Sequence, residues 1–163
     1  YEDAKFMLNN YWNYIQNNSA NTLYTEHWFS FEINDITLSG KCDRIDLDNN
    51  NILIIDYKTS KRSKTKNALK KDLQLGIYAL FASIKGIETA NEHIRRLPKK
   101  LSMLFLREKE PEVCIEFSED DMVKFVEQIK GVHKKIQLGS FNARKGKFCE
   151  WCDYRDLLCP EFG

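Results

Sequence analysis

The sequence predicts a mixed α/β fold in which helices flank a central sheet. Three observations predict it: an amphipathic helical pattern at residues 2–17, three successive strand-like segments between residues 23 and 58, and helical and strand patterns that alternate after residue 68. The 163-residue chain is 42% hydrophobic, which is enough for one substantial core and short for two. A single domain is therefore expected.

The first element is an N-terminal helix. Its apolar residues Phe6, Tyr11, Tyr14 and Ile15 stand at near-helical spacing, and the polar run at residues 17–19 follows them. Because Asn and Ser are typical of helix ends and turns, the helix is expected to end there.

Three strands are predicted next, joined by short polar turns. Residues 23–33 are rich in Thr, Tyr, Trp, Phe and Ile, residues 36–47 alternate, and Asn34-Asp35 predicts a turn between them. A second turn at residues 48–51 leads into residues 51–58. Four successive apolar residues in this third strand favour an inner position in the sheet, because both of its faces must then be buried.

The second half of the chain predicts a helix, two strands and a further helix. Apolar residues recur every three or four positions across residues 68–84, which predicts one continuous helix. Residues 101–106 and 113–117 predict strands, and residues 118–121 have the Ser-x-x-acid pattern of a helix start. That last helix is expected to run to about residue 138, where a glycine follows.

The domain organisation follows from these elements. Residues 1–139 are expected to form the core domain, and residues 140–163 a Cys-rich tail that packs on it. The chain starts without an initiator Met or a basic-then-apolar leader, which indicates a fragment of a longer protein. No apolar run approaches the roughly 20 residues that cross a bilayer, so no membrane partner is expected. Five cysteines, three of them among the last fifteen residues, favour metal binding in a reducing, cytoplasmic compartment over disulfides.

The turn between the second and third strands places three charged residues on one face. If this turn is centred between Asn49 and Asn50, opposed residues have numbers that sum to 99, and Asp43 falls opposite Asp56. Directly opposed residues share a face, with Cβ atoms about 5 Å apart. Lys58 lies two residues beyond Asp56 and therefore points to the same face.

Two carboxylates this close in an apolar sheet repel each other and lose hydration, so they need compensation. A divalent cation would supply it, and carboxylate and phosphate oxygens favour Mg²⁺ or Mn²⁺ over Zn²⁺. Two alternatives stay open at this point. One is an ion pair of Lys58 with Asp43 or Asp56 that has no catalytic role. The other is a one-residue slip in register, which would separate the two carboxylates.

Two further residue pairs bear on this face of the sheet. By the same alternation Arg44 and Asp46 lie on the opposite face, where an ion pair that supports the fold is expected. Gln74 and Tyr78 stand four residues apart on the following helix and share one face. They fit either ordinary helix positions or groups that hydrogen-bond a phosphate and hold Lys58 in place.

A local basic segment follows the third strand. The net charge is only +1, from 25 Lys and Arg against 24 Asp and Glu. This total does not indicate a protein whose whole surface is positively charged and binds polyanions. Residues 58–71 nevertheless hold seven basic and no acidic side chains, which attract phosphates or form a solvated loop. The candidate phosphate contacts in this segment are Lys61, Arg62, Lys64 and Lys66.

Three motifs together resemble a known family. Residues 40–46 read GKCDRID, residues 54–60 read IIDYKTS and residues 74–78 read QLGIY. This order resembles the RecB-like branch of the PD-(D/E)XK nuclease superfamily, which carries a G-x-x-D strand, a D-x-K strand and a Q-x-x-x-Y helix. The resemblance implies a restriction-endonuclease-like αβββαβ core, and with the tail it covers roughly residues 1–160.

The resemblance also implies a function and the residues that perform it. The domain would be a Mg²⁺- or Mn²⁺-dependent deoxyribonuclease, an exonuclease being favoured over an endonuclease, with Asp43, Asp56 and the backbone carbonyl of Tyr57 as metal ligands. Lys58 would position or deprotonate the attacking water, and Gln74 and Tyr78 would guide the scissile strand. The basic side chains of Lys61, Arg62, Lys64 and Lys66 would contact the DNA backbone.

One departure concerns the acidic or His residue that family members carry upstream. The first helix holds no His. Glu26, on the first predicted strand, is therefore the candidate for an additional metal ligand, with a solvent-facing carboxylate as the alternative, and His27 would face the other side.

The C-terminal tail contains a second candidate site. Cys149, Cys152 and Cys159 supply three soft ligands, whereas a tetrahedral zinc or an iron–sulfur cluster generally needs four. RecB-like nucleases with such a tail, including AddB-type helicase–nuclease subunits, bind a [4Fe-4S] cluster with a cysteine far upstream. The expectation is such a cluster with a fourth ligand outside this chain, or else three free thiols. Cys42 and Cys114, on strands, fit core positions better than a ligand role.

The predicted function is accordingly a DNA nuclease domain in a repair or recombination protein, associated with a helicase domain or subunit. The alternative is a DNA-binding or scaffold module that keeps the fold without cleaving. A zinc-ribbon-like interaction domain would explain the tail but none of the strand motifs.

Overall fold

A mixed five-stranded sheet, in the order β1-β2-β3-β6-β7, is the centre of the computed structural model. The structure describes residues 1–18, 20–61 and 63–162. Helix α1 (Glu2–Gln16) precedes the long strands β1 (Asn21–Ile33) and β2 (Ile36–Asp48), and β3 (Asn51–Lys58) follows. The predicted helix and the three predicted strands are therefore confirmed.

Tight turns set the register of these strands. Asn34 and Asp35 between β1 and β2, and Asn49 and Asn50 between β2 and β3, all have positive φ angles. This is the conformation that two-residue hairpin turns require, and Asn and Asp adopt it more readily than most residues. The β2–β3 pairs run from Asp48 opposite Asn51 to Arg44 opposite Ile55, so the predicted sum of 99 is confirmed.

The remaining strands complete the sheet. Helices α2 (Lys66–Leu69) and α3 (Leu73–Ile84) and the short pair β4 (Ile87–Glu88) and β5 (His93–Ile94) lead to β6 (Lys100–Phe105). Strand β6 runs parallel to β3, and β7 (Glu112–Ile115) pairs antiparallel with β6. Strand β3 lies between β2 and β6, the inner position that its apolar run predicted, and its side chains Ile54 and Ile55, which alternate between the two faces, are both buried.

The predicted continuous helix over residues 68–84 is wrong in one respect, because the structure divides it into α2 and α3. Asp72 lies between them with an extended backbone, and its carboxylate accepts hydrogen bonds from the backbone N–H groups of Gln74 and Leu75. This is an N-cap, which starts a new helix. Leu69 and Leu73 keep helical spacing across the break, so periodicity alone did not reveal it. The pair β4–β5, which is two residues long in each strand, was not predicted either.

Helix α4 (Glu119–Gln137) begins where the sequence predicts it. The backbone N–H and hydroxyl of Ser118 contact the Asp121 carboxylate, and the N–H of Asp121 donates to the Ser118 hydroxyl at 3.3 Å. This reciprocal arrangement is a capping box. Gly139 follows the helix with a φ of +62°, a conformation that glycine adopts without a steric cost.

Two compact units make up the chain, Tyr1–Glu127 and Gln128–Gly163. In the first unit, core side chains include Ile45, Ile54, Leu75, Leu101 and Phe105, all at most 1% exposed or fully buried. The second unit contains a short 3₁₀ helix, Cys149–Trp151. In the part of the chain that the structure describes, no helix is both long and apolar enough to cross a membrane.

Candidate active site

The site lies where β2 and β3 separate. Their ladder ends at the pair of Arg44 and Ile55, one residue before Asp43 and Asp56 would pair. Instead, Asp43 Oδ2 accepts a hydrogen bond of 2.8 Å from the backbone N–H of Tyr57. A side-chain oxygen thus takes the N–H group that the interrupted ladder leaves without a partner strand.

Asp56 is the most deeply buried acidic residue of this group, at 2% exposed. Its Oδ2 lies 2.5 Å from Lys58 Nζ in an ion pair, yet it has no hydrogen bond of acceptable geometry from any described residue. Burial raises the pKa of Asp56 and the neighbouring Asp43 charge raises it further, while Lys58 and the Tyr78 hydroxyl act in the opposite direction. The neighbouring groups therefore compensate the negative charge of ionised Asp56 only in part.

Helix α3 holds the lysine and the tyrosine together. Lys58 Nζ donates to Gln74 Oε1 at 3.0 Å, and Gln74 Nε2 donates to the Tyr78 hydroxyl at 2.9 Å. The same hydroxyl donates toward the backbone carbonyl of Lys41 at 3.0 Å and Asp56 Oδ1 at 3.3 Å. These contacts close a ring from Asp56 through Lys58, Gln74 and Tyr78 back to Asp56.

Two close approaches in this region need glycine. A Cβ atom on Gly40, in the G-x-x-D segment, would lie 2.7 Å from the Phe29 ring, which stacks on Phe81 of α3 at 4.6 Å. A Cβ atom on Gly76 would lie 2.6 Å from the ring of Phe125. Both motif glycines thus allow α3 to pack against its neighbours and bring Gln74 and Tyr78 to the strand ends.

Glu26 is not brought to the two aspartates. It has a φ of +52°, and its carboxylate forms an ion pair with Lys41. Regular strand geometry would place it opposite Asp43, but β1 and β2 show no pair at that position, between Thr25–Arg44 and His27–Cys42. His27 packs instead against the rings of Tyr24 and Phe81.

The side chains of the site supply part of the ligand set of a divalent cation. Within residues 1–18, 20–61 and 63–162, no group of three or more His, Cys, Asp or Glu side chains is placed to hold a metal ion. Asp43 and Asp56 nevertheless supply two hard oxygen ligands, and Asp56 Oδ2 is a buried acceptor without a hydrogen bond. Two carboxylates with a backbone carbonyl fit Mg²⁺, which keeps several of its waters when it binds to proteins.

The opposite face of the sheet carries the predicted ion pair. Arg44 Nε and a terminal nitrogen of its guanidinium donate to the two oxygens of Asp46 at 2.6 and 2.7 Å. Two contacts near it were not predicted. The Tyr11 and Tyr57 hydroxyls lie 3.4 Å apart, and Asn10 Nδ2 donates to the carbonyls of Leu106 and Glu108. The only sequence signal was a polar residue on the inward face of α1.

The predicted DNA contacts are distributed along the segment after β3. Lys61 is exposed, and Lys64 Nζ pairs with Asp72 Oδ2 at 2.7 Å. Lys66 lines a cleft of about 750 Å³ together with Lys70, Lys99 and Lys100. Arg62 lies outside the described residues.

The cysteines do not assemble into a ligand group in the described residues. All five are free of disulfides. Cys149 Sγ accepts a hydrogen bond from the Gly146 N–H at 3.2 Å. Cys42 is fully buried, and burial, with the charges of Asp43 and Asp56, raises the pKa of its thiol. It is therefore a neutral core residue.

Two carboxylates and a lysine thus lie together where β2 and β3, the central strands of a mixed sheet, stop pairing. The sequence model of the PD-(D/E)XK nuclease superfamily matches residues 2–160, and the chain belongs to that superfamily. The architecture agrees with the restriction-endonuclease-like fold that the sequence predicts.

Other comparisons are less specific. No curated protein matches the chain. The crystal structure of SSO0001 is similar at 20% sequence identity with a TM-score of 0.46, over 94% of this chain and 66% of that chain. The present chain thus spans just under two thirds of that relative.

Proposed function

We propose that the chain is a Mg²⁺- or Mn²⁺-dependent deoxyribonuclease domain that hydrolyses phosphodiester bonds. The observation that supports this most directly is the convergence of Asp43, Asp56 and Lys58, with a buried Asp56 oxygen that has no hydrogen bond. Asp43, Asp56 and the backbone carbonyl of Tyr57 would hold the cation. When bound, a divalent ion lowers the pKa of a coordinated water and offsets the negative charge of the reacting phosphate.

Lys58 is the cation that the chain itself contributes. Its ammonium is half-buried, forms an ion pair with Asp56 and donates a hydrogen bond to Gln74. An ammonium has three N–H donors, so one is left to face the phosphate or the attacking water. Lys58 would orient the water and stabilise the charge that develops on the phosphate oxygens.

Gln74 and Tyr78 would act as positioning residues. Each uses both ends of its polar group within the ring of contacts: Gln74 joins Lys58 to Tyr78, and Tyr78 joins Asp56 to the β2 backbone at Lys41. Such a ring restricts the rotamers of the reacting groups, and the gain in rate from fixed geometry is large. Both side chains would also guide the scissile strand.

The basic segment would bind the DNA backbone. Lys61, Lys64 and Lys66 lie three, six and eight residues after Lys58 in the chain, and the Lys61 side chain is exposed. Contacts of lysine with phosphate depend on salt and not on base sequence. We expect this domain to cleave DNA without sequence specificity.

The wider assignment rests on motif order. The GxxD strand, DxK strand and QxxxY helix favour the RecB-like branch, an exonuclease over an endonuclease, and a role in DNA repair or recombination inside the cell beside a helicase domain or subunit. The [4Fe-4S] hypothesis depends on the spacing of Cys149, Cys152 and Cys159 and on a fourth ligand outside this chain. Iron analysis and visible absorbance near ~400 nm of anaerobically purified protein test it, and a colourless, iron-free sample would reject it.

The decisive experiment compares cleavage of linear duplex, single-stranded and covalently closed circular DNA in Mg²⁺ and in Mn²⁺. Asp56→Asn and Lys58→Ala should each lower the rate at least ~100-fold, because each removes a group that acts on the transition state. Asp120→Asn and Lys124→Ala are matched controls on the exposed first turns of α4. An exonuclease would leave closed circles intact.

The same assay separates this proposal from its alternative. If the wild type and both site variants cut equally, the nuclease site is not the one described. If the wild type binds DNA and cuts no substrate in either metal, the domain is a non-cleaving DNA-binding module.

A further inference from the structure

Trp28 is an exposed tryptophan on β1, in the β1–β2 hairpin, and it lies close to the site. It is 73% exposed, although burial of an aromatic ring of this size is strongly favourable. Its direct partner across the hairpin is Lys41, two residues before Asp43 on β2. At ~3.3 Å per strand residue, Trp28 is therefore level with a point about 7 Å from Asp43 along the strand.

The hairpin continues beyond the site. Pairs between β1 and β2 run on from His27–Cys42 to Ile33–Ile36, whereas the β2–β3 ladder has already ended at Arg44–Ile55. A two-stranded ribbon therefore projects past the two aspartates. Trp28 and Lys41 form the second pair of this ribbon beyond Asp43.

The two side chains combine an aromatic face with a cation. Lys41 Nζ lies 5.7 Å from the centroid of the Trp28 ring, within the usual range for a cation–π contact. The backbone carbonyl of Lys41 also accepts from the Tyr78 hydroxyl. Lys41 is thus bound to the ring of catalytic contacts through its backbone while its side chain lies beside an open aromatic surface.

The acidic neighbour does not block this surface. Glu26 pairs with Lys41, but its side chain is 62% exposed and that of Lys41 is 38% exposed. Exposed ion pairs contribute only about 0–1 kcal/mol, so Lys41 can exchange Glu26 for a phosphate at little cost if the exposed Glu26 side chain turns into solvent. The exposed faces of indole and ammonium are the two elements with which proteins bind single strands: bases stack on the ring and phosphates meet the cation.

We propose that Trp28 and Lys41 form a stacking site for one nucleotide of single-stranded DNA, about 7 Å along β2 from Asp43. This deepens the proposed function and rests on it, since it names the strand form of the substrate. A duplex keeps its bases stacked on each other, so an exposed indole gains a stacking partner only from an unpaired strand. Trp28 then selects single strands or frayed ends.

The test uses the intrinsic fluorescence of Trp28. The chain has three tryptophans, Trp12, Trp28 and Trp151, so Trp12→Phe with Trp151→Phe leaves Trp28 as the only one. In an Asp56→Asn background without metal, titration with oligo(dT) should quench this fluorescence, whereas a relaxed, covalently closed circular duplex at equal nucleotide concentration should not. Stacking is worth a factor of roughly 10 in affinity per base, so Trp28→Ala should weaken single-strand binding by about that factor.

Three variants sharpen the result. Trp28→Phe keeps a smaller ring and should lose less affinity than Trp28→Ala, and Lys41→Met should reduce the salt dependence of binding. Trp12→Ala changes another exposed tryptophan, 61% exposed on α1, and should leave binding unchanged. Circular dichroism checks that each variant folds. We expect each to fold, because the substituted side chains are exposed.

The outcomes separate this inference from the nuclease proposal. Absence of quenching, or equal single-strand affinity in Trp28→Ala and wild type, overturns the stacking site even if the wild type cuts DNA. Equal quenching by single strand and duplex overturns the strand selection. Quenching by oligo(dT) in a protein that cuts nothing supports the stacking site and rejects the nuclease proposal.

Discussion

The carboxylate of Asp43 caps the backbone N–H of Tyr57, with 2.8 Å between Oδ2 and the nitrogen. This contact fixes Asp43 beside the residue that follows Asp56, at the place where β2 and β3 stop pairing. It keeps two acidic groups close together although the strands no longer hold each other there. The electrostatic state of Asp56 is therefore set by its neighbours, and it can be measured.

Asp43→Asn should lower the pKa of Asp56, and Lys58→Met should raise it. The first change removes a negative charge that disfavours ionisation, and the second removes the ammonium that favours it. The measurement is a ¹³C NMR titration of the Asp56 side-chain carboxyl in metal-free protein. A midpoint that is the same in the wild type and in both variants would contradict the geometry of the site.

The raised pKa of Asp56 also makes the stability of the folded protein depend on pH. The folded protein holds this proton more tightly than the unfolded chain, whose Asp pKa is 3.8. The stabilisation is fully present below that value and is lost as the pH rises through the raised folded-state pKa. Metal-free Asp56→Asn should therefore melt higher than wild type at pH 7 while losing activity. Calorimetry in EDTA checks this, and a lower Tm of the variant at pH 7 would oppose it.

The buried Arg44–Asp46 pair gives a prediction about folding. Arg44 is 6% exposed and Asp46 is 2% exposed, so Asp46→Ala leaves a guanidinium in the core without its carboxylate. Removing one partner of such a pair costs about 3–5 kcal/mol. Urea denaturation should show this loss, and the double change Arg44→Met with Asp46→Leu should recover much of it. Lys124→Met, at a side chain 77% exposed, should cost at most about 1 kcal/mol.

The register of β2 and β3 could be predicted because the Asp-Asn-Asn-Asn run leaves few ways to place a two-residue turn. The opposed positions of Asp43 and Asp56 followed from it. The end of the ladder at Arg44 could not be read from alternation, since residues on both sides of it continue the same pattern. The hydrogen bond from Tyr57 to Asp43 was therefore not predicted.

Glu26 and the helix break show two other limits. Glu26 has a positive φ, which interrupts the regular strand geometry that alternation assumes, and no residue type at that position signals it. Leu69 and Leu73 keep helical spacing on either side of residues 70–72, and only the capping geometry of Asp72 separates α2 from α3. Both depend on backbone conformation set by distant packing, which local propensity does not contain.

Gly76→Ala should destabilise the domain although alanine is the better helix former. Its Cβ atom would lie within 2.7 Å of three atoms of the Phe125 ring, and Phe125 is only 4% exposed. Overpacking of this kind costs about 1–3 kcal/mol, more than the gain of about 1 kcal/mol in helix propensity. The matched control is Gly131→Ala in α4, where a Cβ atom meets nothing within 4 Å.

The comparison of these two glycines is the test. Urea midpoints should fall for Gly76→Ala and rise for Gly131→Ala, and Phe125→Leu should restore part of the loss in a Gly76→Ala background. Equal effects at both positions would mean that α3 does not approach Phe125 as closely as the structure shows.

Tyr78→Phe should change the pH dependence of cleavage as well as its rate. The hydroxyl donates toward Asp56 Oδ1 at 3.3 Å and toward the Lys41 carbonyl at 3.0 Å. Its loss removes a hydrogen bond that lowers the pKa of Asp56, so ionisation of Asp56 moves to higher pH. The acid limb of the kcat profile should shift in the same direction, with a fall in kcat of about 10-fold for a lost positioning contact.

Gln74→Ala and Tyr14→Phe distinguish this effect from general loosening. Gln74 contacts Lys58 and Tyr78 but not Asp56, so its removal should lower kcat and leave the acid limb in place. Tyr14 donates to Glu112 at 3.1 Å on the other face of the sheet, and Tyr14→Phe should alter neither quantity. If the acid limb stays fixed in Tyr78→Phe, or shifts equally in Gln74→Ala, then the Tyr78 hydroxyl does not act on Asp56, because only a direct hydrogen bond predicts the difference.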